Sequence, residues 1–168
     1  IKTVRGLPLK IQGADLPSVL ELRGEVYMTK SGFPILNQKR EAAGEEPFVN
    51  ARNATAGTLK QLDPQVTAQR PVQVVLYGVG QVDGHIPPTQ QAFLAWLREL
   101  GVKSSERTWF CKSEDELIAA IEELDQVRDD FDYETDGAVM KLNSMALRER
   151  CGNTSKAPRW AMAYKYAP

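Results

Sequence analysis

The sequence has no apolar run longer than VVLYGVG, Val74 to Gly80, far short of the roughly 20 residues that span a bilayer, so no membrane role is expected. Cysteine is scarce: Cys111 and Cys151 have no CxxC spacing, and the only histidine, His85, lies in a DGHIPP turn, which argues against a zinc centre. The opening segment IKTVRGLPLK lacks the apolar stretch and small-residue cleavage site of a secretory signal, and a reducing cytoplasm is expected. Neither charge is in excess, with 21 Lys and Arg against 22 Asp and Glu and a net charge of −1, so any contact with nucleic acid must come from a local patch. There are no repeats and no low-complexity tract, and VDGHIPPTQ, the nearest thing to a linker, reads as a surface loop.

What remains is a globular composition. The 168 residues, 42% hydrophobic and 26% charged, fit one domain able to bury roughly 70% of its unfolded surface. LPLKI and VLELRGEVYM alternate as half-buried strands. Ser31 is placed to cap a helix running to about Ala43, with Gly44 beyond it. ATAGTLKQL reads as a short helix closed by a DP turn, VQVVLYGVGQV as a strand, and TQQAFLAWLRELG as a helix capped by Thr89. SEDELIAAIEELDQVRDD is a further helix, with Ser113 and Glu116 at capping-box spacing. GAVMKL, SMALRERCG and RWAMAYKY read as strand, short helix and strand. Without regular βαβ alternation the fold class is α+β, with largely antiparallel sheets flanked by helices.

The residues with chemical promise are cations in unusual company. In RWAMAYKY, alternation puts Trp160, Met162, Tyr164 and Tyr166 on one face, expected to be core, and Lys165 with Ala161 and Ala163 on the other. In DGAVMKL, Lys141 shares its face with Gly137 and Val139, opposite Asp136. One such lysine is explained by snorkelling to solvent. Two on small-residue floors fit point charges for a phosphate lying against a sheet. Glu25 reads either as part of a charged strand face with Glu21 and Arg23 or as a carboxylate for ribose hydroxyls. Tyr77, between residues of LYGVG, is either core or a ring with open space beside Gly78 and Gly80 for a stacked base. Arg52 and Lys60 share the Gly- and Ala-rich NARNATAGTLKQLD, where cations could hold phosphates.

In this order LELRGEV, LYGVG, DGAVMK and RWAMAYKY resemble motifs III, IIIa, IV and V of the bacterial NAD-dependent DNA ligases, within the covalent nucleotidyltransferase superfamily. NARNATAGTLKQLDP is similar to a segment particular to the NAD-dependent branch, and the resemblance covers nearly the whole chain. It departs from the branch at Ala51, where proline is usual, at Lys60, where arginine is usual, and at Ala138 and Met140, where bulkier aliphatics are commoner. The larger departure is that the KxDG motif carrying the family's nucleophilic lysine is absent: the DG pairs are Asp83-Gly84 and Asp136-Gly137.

The resemblance implies a nucleotidyltransferase (ATP-grasp-like ligase) adenylation domain, of which residues 1–168 correspond to the C-terminal two-thirds, without OB, zinc-finger, helix-hairpin-helix or BRCT domains. It implies a monomeric bacterial parent, cytoplasmic and nucleoid-associated, acting in DNA replication and repair on nicked duplex DNA. There the lysine attacks the α-phosphate of NAD, AMP passes to the nick's 5′-phosphate, and the 3′-hydroxyl displaces it. Lys141 and Lys165 would neutralise the α-phosphate, Glu25 would bind ribose, Tyr77 would stack on adenine, and Asp136 would fix the strand carrying Lys141. Arg52, Lys60 and Arg128 would hold nicotinamide-side or nick phosphates. Magnesium or manganese is implied, reaching Glu25 through water, and zinc only for a downstream domain. The acidic DDFDYETD run is expected to be a solvated loop rather than a metal cage. Two other readings stay open: an ATP-dependent polynucleotide ligase or capping-type nucleotidyltransferase, and a non-catalytic DNA-binding module.

Overall fold

The computed structural model describes residues 1–105 and 107–166. Its elements run β1 (Val19–Met28), α1 (Gly32–Ala42), α2 (Ala51–Leu59), α3 (Pro64–Gln69), β2 (Val72–Asp83), α4 (Gln90–Glu99) and α5 (Glu114–Val127). A 3-10 turn (Arg128–Asp130), β3 (Gly137–Lys141), α6 (Met145–Cys151) and β4 (Ala161–Lys165) follow. β1 pairs antiparallel with β2, and β3 antiparallel with β4, giving two separate two-stranded sheets among the described residues. The α+β class and the antiparallel pairing expected from the sequence are both present.

The period-2 pattern of β1 and β2 determines where the core lies. Val26 pairs with Val74 and Met28 with Val72 on one face, and that face packs against α4 through the fully buried Phe93 and Leu97. Phe93, Leu94 and Leu97 fall on one side of the helix, as a 3.6-residue repeat requires. Thr89 caps α4 as expected, its hydroxyl accepting from the Ala92 N–H at 3.2 Å. Asn50 does the same for α2, accepting from Asn53 N–H at 2.8 Å.

Several local expectations are corrected. LPLKI is irregular: Pro8 withholds an N–H from any ladder and Gly6 turns the chain at a φ of 82°, so only Arg5 bridges to Gln73. Ser31 does not cap α1. Its hydroxyl donates to Asp132 at 2.7 Å, and the Thr29 hydroxyl instead accepts from Gly32 N–H at 3.1 Å. The DP pair opens a helix rather than closing one, Asp63 capping α3 with Pro64 in its first turn. At α5 the Ser113 hydroxyl caps Glu116 N–H, but the Glu116 carboxylate reaches Lys112 N–H rather than that of Ser113. The bulky face of β4 is not core, since Met162 is 68% and Tyr164 44% exposed in a ribbon of only two strands. The acidic run is docked rather than freely solvated: Phe131 is buried, Tyr133 lies 5.2 Å from Tyr27, and Asp132 accepts from both the N–H and hydroxyl of Ser31.

Two bulges shape the β1–β2 ladder, between Leu20 and Leu22 and between Arg23 and Gly24. At the second the strands approach so closely that a Cβ on Gly24 would collide with the Val75 carbonyl oxygen and the Leu76 backbone. Gly24→Ala should therefore lower stability by about 1–3 kcal/mol in urea denaturation, a typical overpacking cost. Gly78→Ala, whose methyl would make only ordinary contact with Arg23 at 3.6 Å, should cost far less in the same measurement.

Candidate nucleotide-binding site

Glu25 pairs opposite Val75, and Tyr77, partly buried and packed against the core, sits at the bulge between Leu76, paired with Gly24, and Gly78, paired with Arg23. The bulge brings the tyrosine hydroxyl to 3.5 Å from Glu25 Oε1, a long contact. From the other sheet Lys141 reaches across, its Nζ 4.6 Å from the centre of the Tyr77 ring. Tyr77 is thus the common neighbour of a carboxylate at its hydroxyl and an ammonium over its ring, the three residues coming from three strands.

Both lysines lie on the same face of the β3–β4 ribbon. Lys141 is paired with Ala161 and Lys165 with Gly137, and the rung between them is Val139 with Ala163. Four residues at about 3.4 Å each set the lysines roughly 14 Å apart along the strands. The floor between them is open, with Val139 61% exposed. Gly137 has a further reason to be glycine: its φ is 151° and a Cβ there would strike the Tyr164 carbonyl oxygen. The space beside Gly80, read from the sequence as room for a base, is taken by the Glu21 carboxylate, which accepts from Gln81 N–H at 3.0 Å and pairs with Arg23 at 2.9 Å. Those contacts, the backbone N–H first, hold the Glu21 carboxyl below the usual range.

The other expected residues lie further out. Lys165 is exposed at the end of β4, paired with Gly137 at the opposite end of the ribbon from Lys141. Arg128, in the 3-10 turn, lies 3.5 Å from Asp125 and stacks 4.5 Å from the ring of Tyr166, one residue past Lys165, so it marks the same end of the ribbon. Arg52 is exposed on α2 and Lys60 is exposed at its C-terminal end. Asp136 contributes its backbone: its carbonyl accepts from Tyr166 N–H at 3.0 Å and extends the β3–β4 ladder. Sequence reasoning missed Arg148 and Gln90, which join the two sheets behind Lys141. Arg148 is 7% exposed while the adjacent Leu147 is 44% exposed, the reverse of their hydropathy, so no pattern in the sequence marks it.

Burial, reinforced by the nearby Arg148 charge, pushes the Lys141 ammonium below the ordinary lysine value. Burial, followed by the charge of Glu25 and the bond to it, pushes the Tyr77 phenol up. Among the described residues no group of three or more acidic, histidine or cysteine side chains could hold a metal, and no helix is long and apolar enough to cross a membrane.

These residues belong to a chain whose full length, 1–168, matches the family model described as NAD-dependent DNA ligase adenylation domain. It is 50% identical over 171 residues to a protein named DNA ligase 1 in Opitutus terrae, covering 99% of this chain and 25% of that protein. It is 46% identical to a DNA ligase of Methylacidiphilum infernorum, covering 99% of this chain and 24% of the relative, and 45% identical to one of Desulforamulus reducens with the same coverage. The chain belongs to the NAD-dependent DNA ligase adenylation-domain family, and it spans about a quarter of the length of the curated relatives it matches.

The depressed Lys141 pKa has a measurable sign. A lysine whose folded pKa lies below its unfolded value, near 10.4, is a destabilising buried charge at neutral pH, and stability recovers as pH rises through the folded value towards the unfolded one. A carbon-13 NMR titration of the Lys141 Cε should give a midpoint below 10.4. Lys141→Met should raise the urea midpoint at neutral pH, with the gain shrinking across that alkaline window.

Proposed function

We propose that this chain supplies the nucleotide-facing strands of a DNA ligase that takes AMP from NAD and uses it to seal nicks in duplex DNA. The observation that carries the reading is the meeting of the Lys141 ammonium, the Tyr77 ring and the Glu25 carboxylate beside an open sheet face, in a chain of this family. An adenine stacked on Tyr77 places its ribose towards Glu25, whose oxygens accept from hydroxyls. The α-phosphate then lies over Val139 and Ala163 with a lysine at either end, Lys141 and Lys165. Phosphoryl transfer asks mainly for positioning and neutralised charge, which two ammonium groups on an open floor provide.

Arg52, Lys60 and Arg128 hold outlying phosphates of the dinucleotide or the nick, and Asp136 fixes β3 through its carbonyl. With a single carboxylate at the group, a magnesium ion would be held by Glu25 through water and by substrate phosphates, adding charge neutralisation there. The 168 residues correspond on this reading to the C-terminal two-thirds of the adenylation domain. The nucleophilic lysine of a KxDG motif, absent from this sequence, comes from elsewhere in the parent protein.

The chain by itself should therefore take no label from radiolabelled NAD, whereas the full-length protein should form acid-labile, protein-bound AMP and prefer NAD to ATP. In the full-length protein Lys141→Ala and Lys165→Ala should each slow nick sealing by about 10²–10³-fold, the usual loss for one electrostatic stabiliser. Near-normal sealing by either variant would remove that lysine from the phosphate site. An AMP titration of the chain followed by NMR should shift resonances of Glu25, Tyr77, Lys141 and Lys165; shifts confined to other residues would refute the location.

A further inference from the structure

The environment of Arg148 is the least expected in the molecule. It is nearly fully buried, yet among the described residues no carboxylate lies within ion-pair distance of it. Its guanidinium stacks 4.4 Å from the ring of Trp160, Nε donates to the Leu142 carbonyl at 2.6 Å, and Nη1 donates to Gln90 Oε1 at 2.9 Å, leaving Nη2 without a partner. A buried cation without an acid is costly, and it persists only where its bonds do something that a neutral side chain could not.

The route of those bonds shows what that is. Leu142 directly follows Lys141. Gln90, the other partner of Arg148, donates through Nε2 to the Tyr77 carbonyl at 2.9 Å. The relay from Leu142 through Arg148 and Gln90 to Tyr77 therefore begins beside one member of the candidate site and ends on the backbone of another, and the side chains of those two members touch at 4.6 Å. Backbone relay and side-chain contact close a ring. A planar fork with fixed donor directions can span Leu142 and Gln90 at once, which the single ammonium of a lysine does not reproduce.

We propose that Arg148 is a positioning residue for Lys141, holding it against Tyr77 through Gln90; this rests on the reading that Lys141 faces the phosphate and Tyr77 the base. Arg148 also acts on Lys141 by charge. Around that ammonium, Glu25 on β1 is reached through the Tyr77 hydroxyl on β2, and Lys165 on β4 stands at the far end of the ribbon. Arg148 on α6 is the charge that adds to burial in lowering the Lys141 pKa.

The test is single-turnover transfer of AMP from NAD to the full-length protein, measured against pH. Arg148→Met and Gln90→Leu should each slow transfer by roughly 10- to 100-fold, the scale of a misplacement of about 1 Å. Arg148→Met should also move the alkaline limb of the profile to higher pH, whereas Gln90→Leu and Arg148→Lys, which keep the charge, should leave the limb in place while the rate falls. In a Lys141→Ala background, Arg148→Met should slow transfer no further, because the lost interaction is already absent. A wild-type rate for Gln90→Leu, or a full additional loss for Arg148→Met in that background, overturns the proposal; these variants and Arg148→Lys decide the matter even if Arg148→Met does not fold. A wild-type rate for Lys141→Ala itself would overturn the underlying site reading, whereas a slow Lys141→Ala beside fast Arg148 and Gln90 variants would overturn the positioning role alone.

Discussion

Everything at the candidate site depends on one junction, where the segment entering α4 meets the segment leaving β3. Gln90 N–H donates to the Asn143 carbonyl at 2.7 Å, Met145 N–H to the Pro88 carbonyl at 2.9 Å, and Gln91 N–H to Asn143 Oδ1 at 3.0 Å. The two sheets share no strand, so these bonds, with the Arg148 and Gln90 relay behind them, bring Lys141 to Tyr77. Backbone N–H and carbonyl groups at such a seam must be paired, and pairing them leaves little freedom in how the ribbon sits on the first sheet. A weaker seam would leave a lysine on one sheet and a tyrosine on another.

The seam also determines the electrostatics. Joining α6 to α4 buries Arg148 close to Lys141, and among the described residues neither cation has a carboxylate partner. The acid of the group, Glu25, lies 3.5 Å from the Tyr77 hydroxyl. Two under-compensated positive charges behind and beside an open floor make a region suited to an anion, although the chain as a whole carries a net charge of −1. Part of the fold's stability is given up to maintain that local potential.

Close approach of strands is the second constraint. Gly24 and Gly137 each stand where a partner strand's carbonyl occupies the space a side chain would need. In RGE and DGAVMK the glycine thus serves the ladder, and the ladder in turn sets the register of Glu25 and of Lys141. Glu21, at the first bulge, fills the gap at Gly80. What looked in the sequence like room for a ligand is, at that position, room for the protein's own carboxylate.

The sequence by itself determined β1, β2, β3 and β4, the four longer helices' existence, and the sharing of a face by Lys141 with Gly137 and Val139, because these follow from periods of 2 and 3.6 and from capping residues such as Thr89. It also carried the motifs of its family, since RGE, LYGVG and DGAVMK are local strings. Tertiary structure alone decided that LPLKI would not be a strand, that Thr29 rather than Ser31 would cap α1, and that the bulky face of β4 would meet solvent. It alone placed Arg148 inside and Leu147 outside. The reason is physical: periodicity reports which face of an element a residue occupies, whereas burial depends on what packs against that face, and the partners of Arg148 come from residues 58 positions away at Gln90 and from the end of another strand.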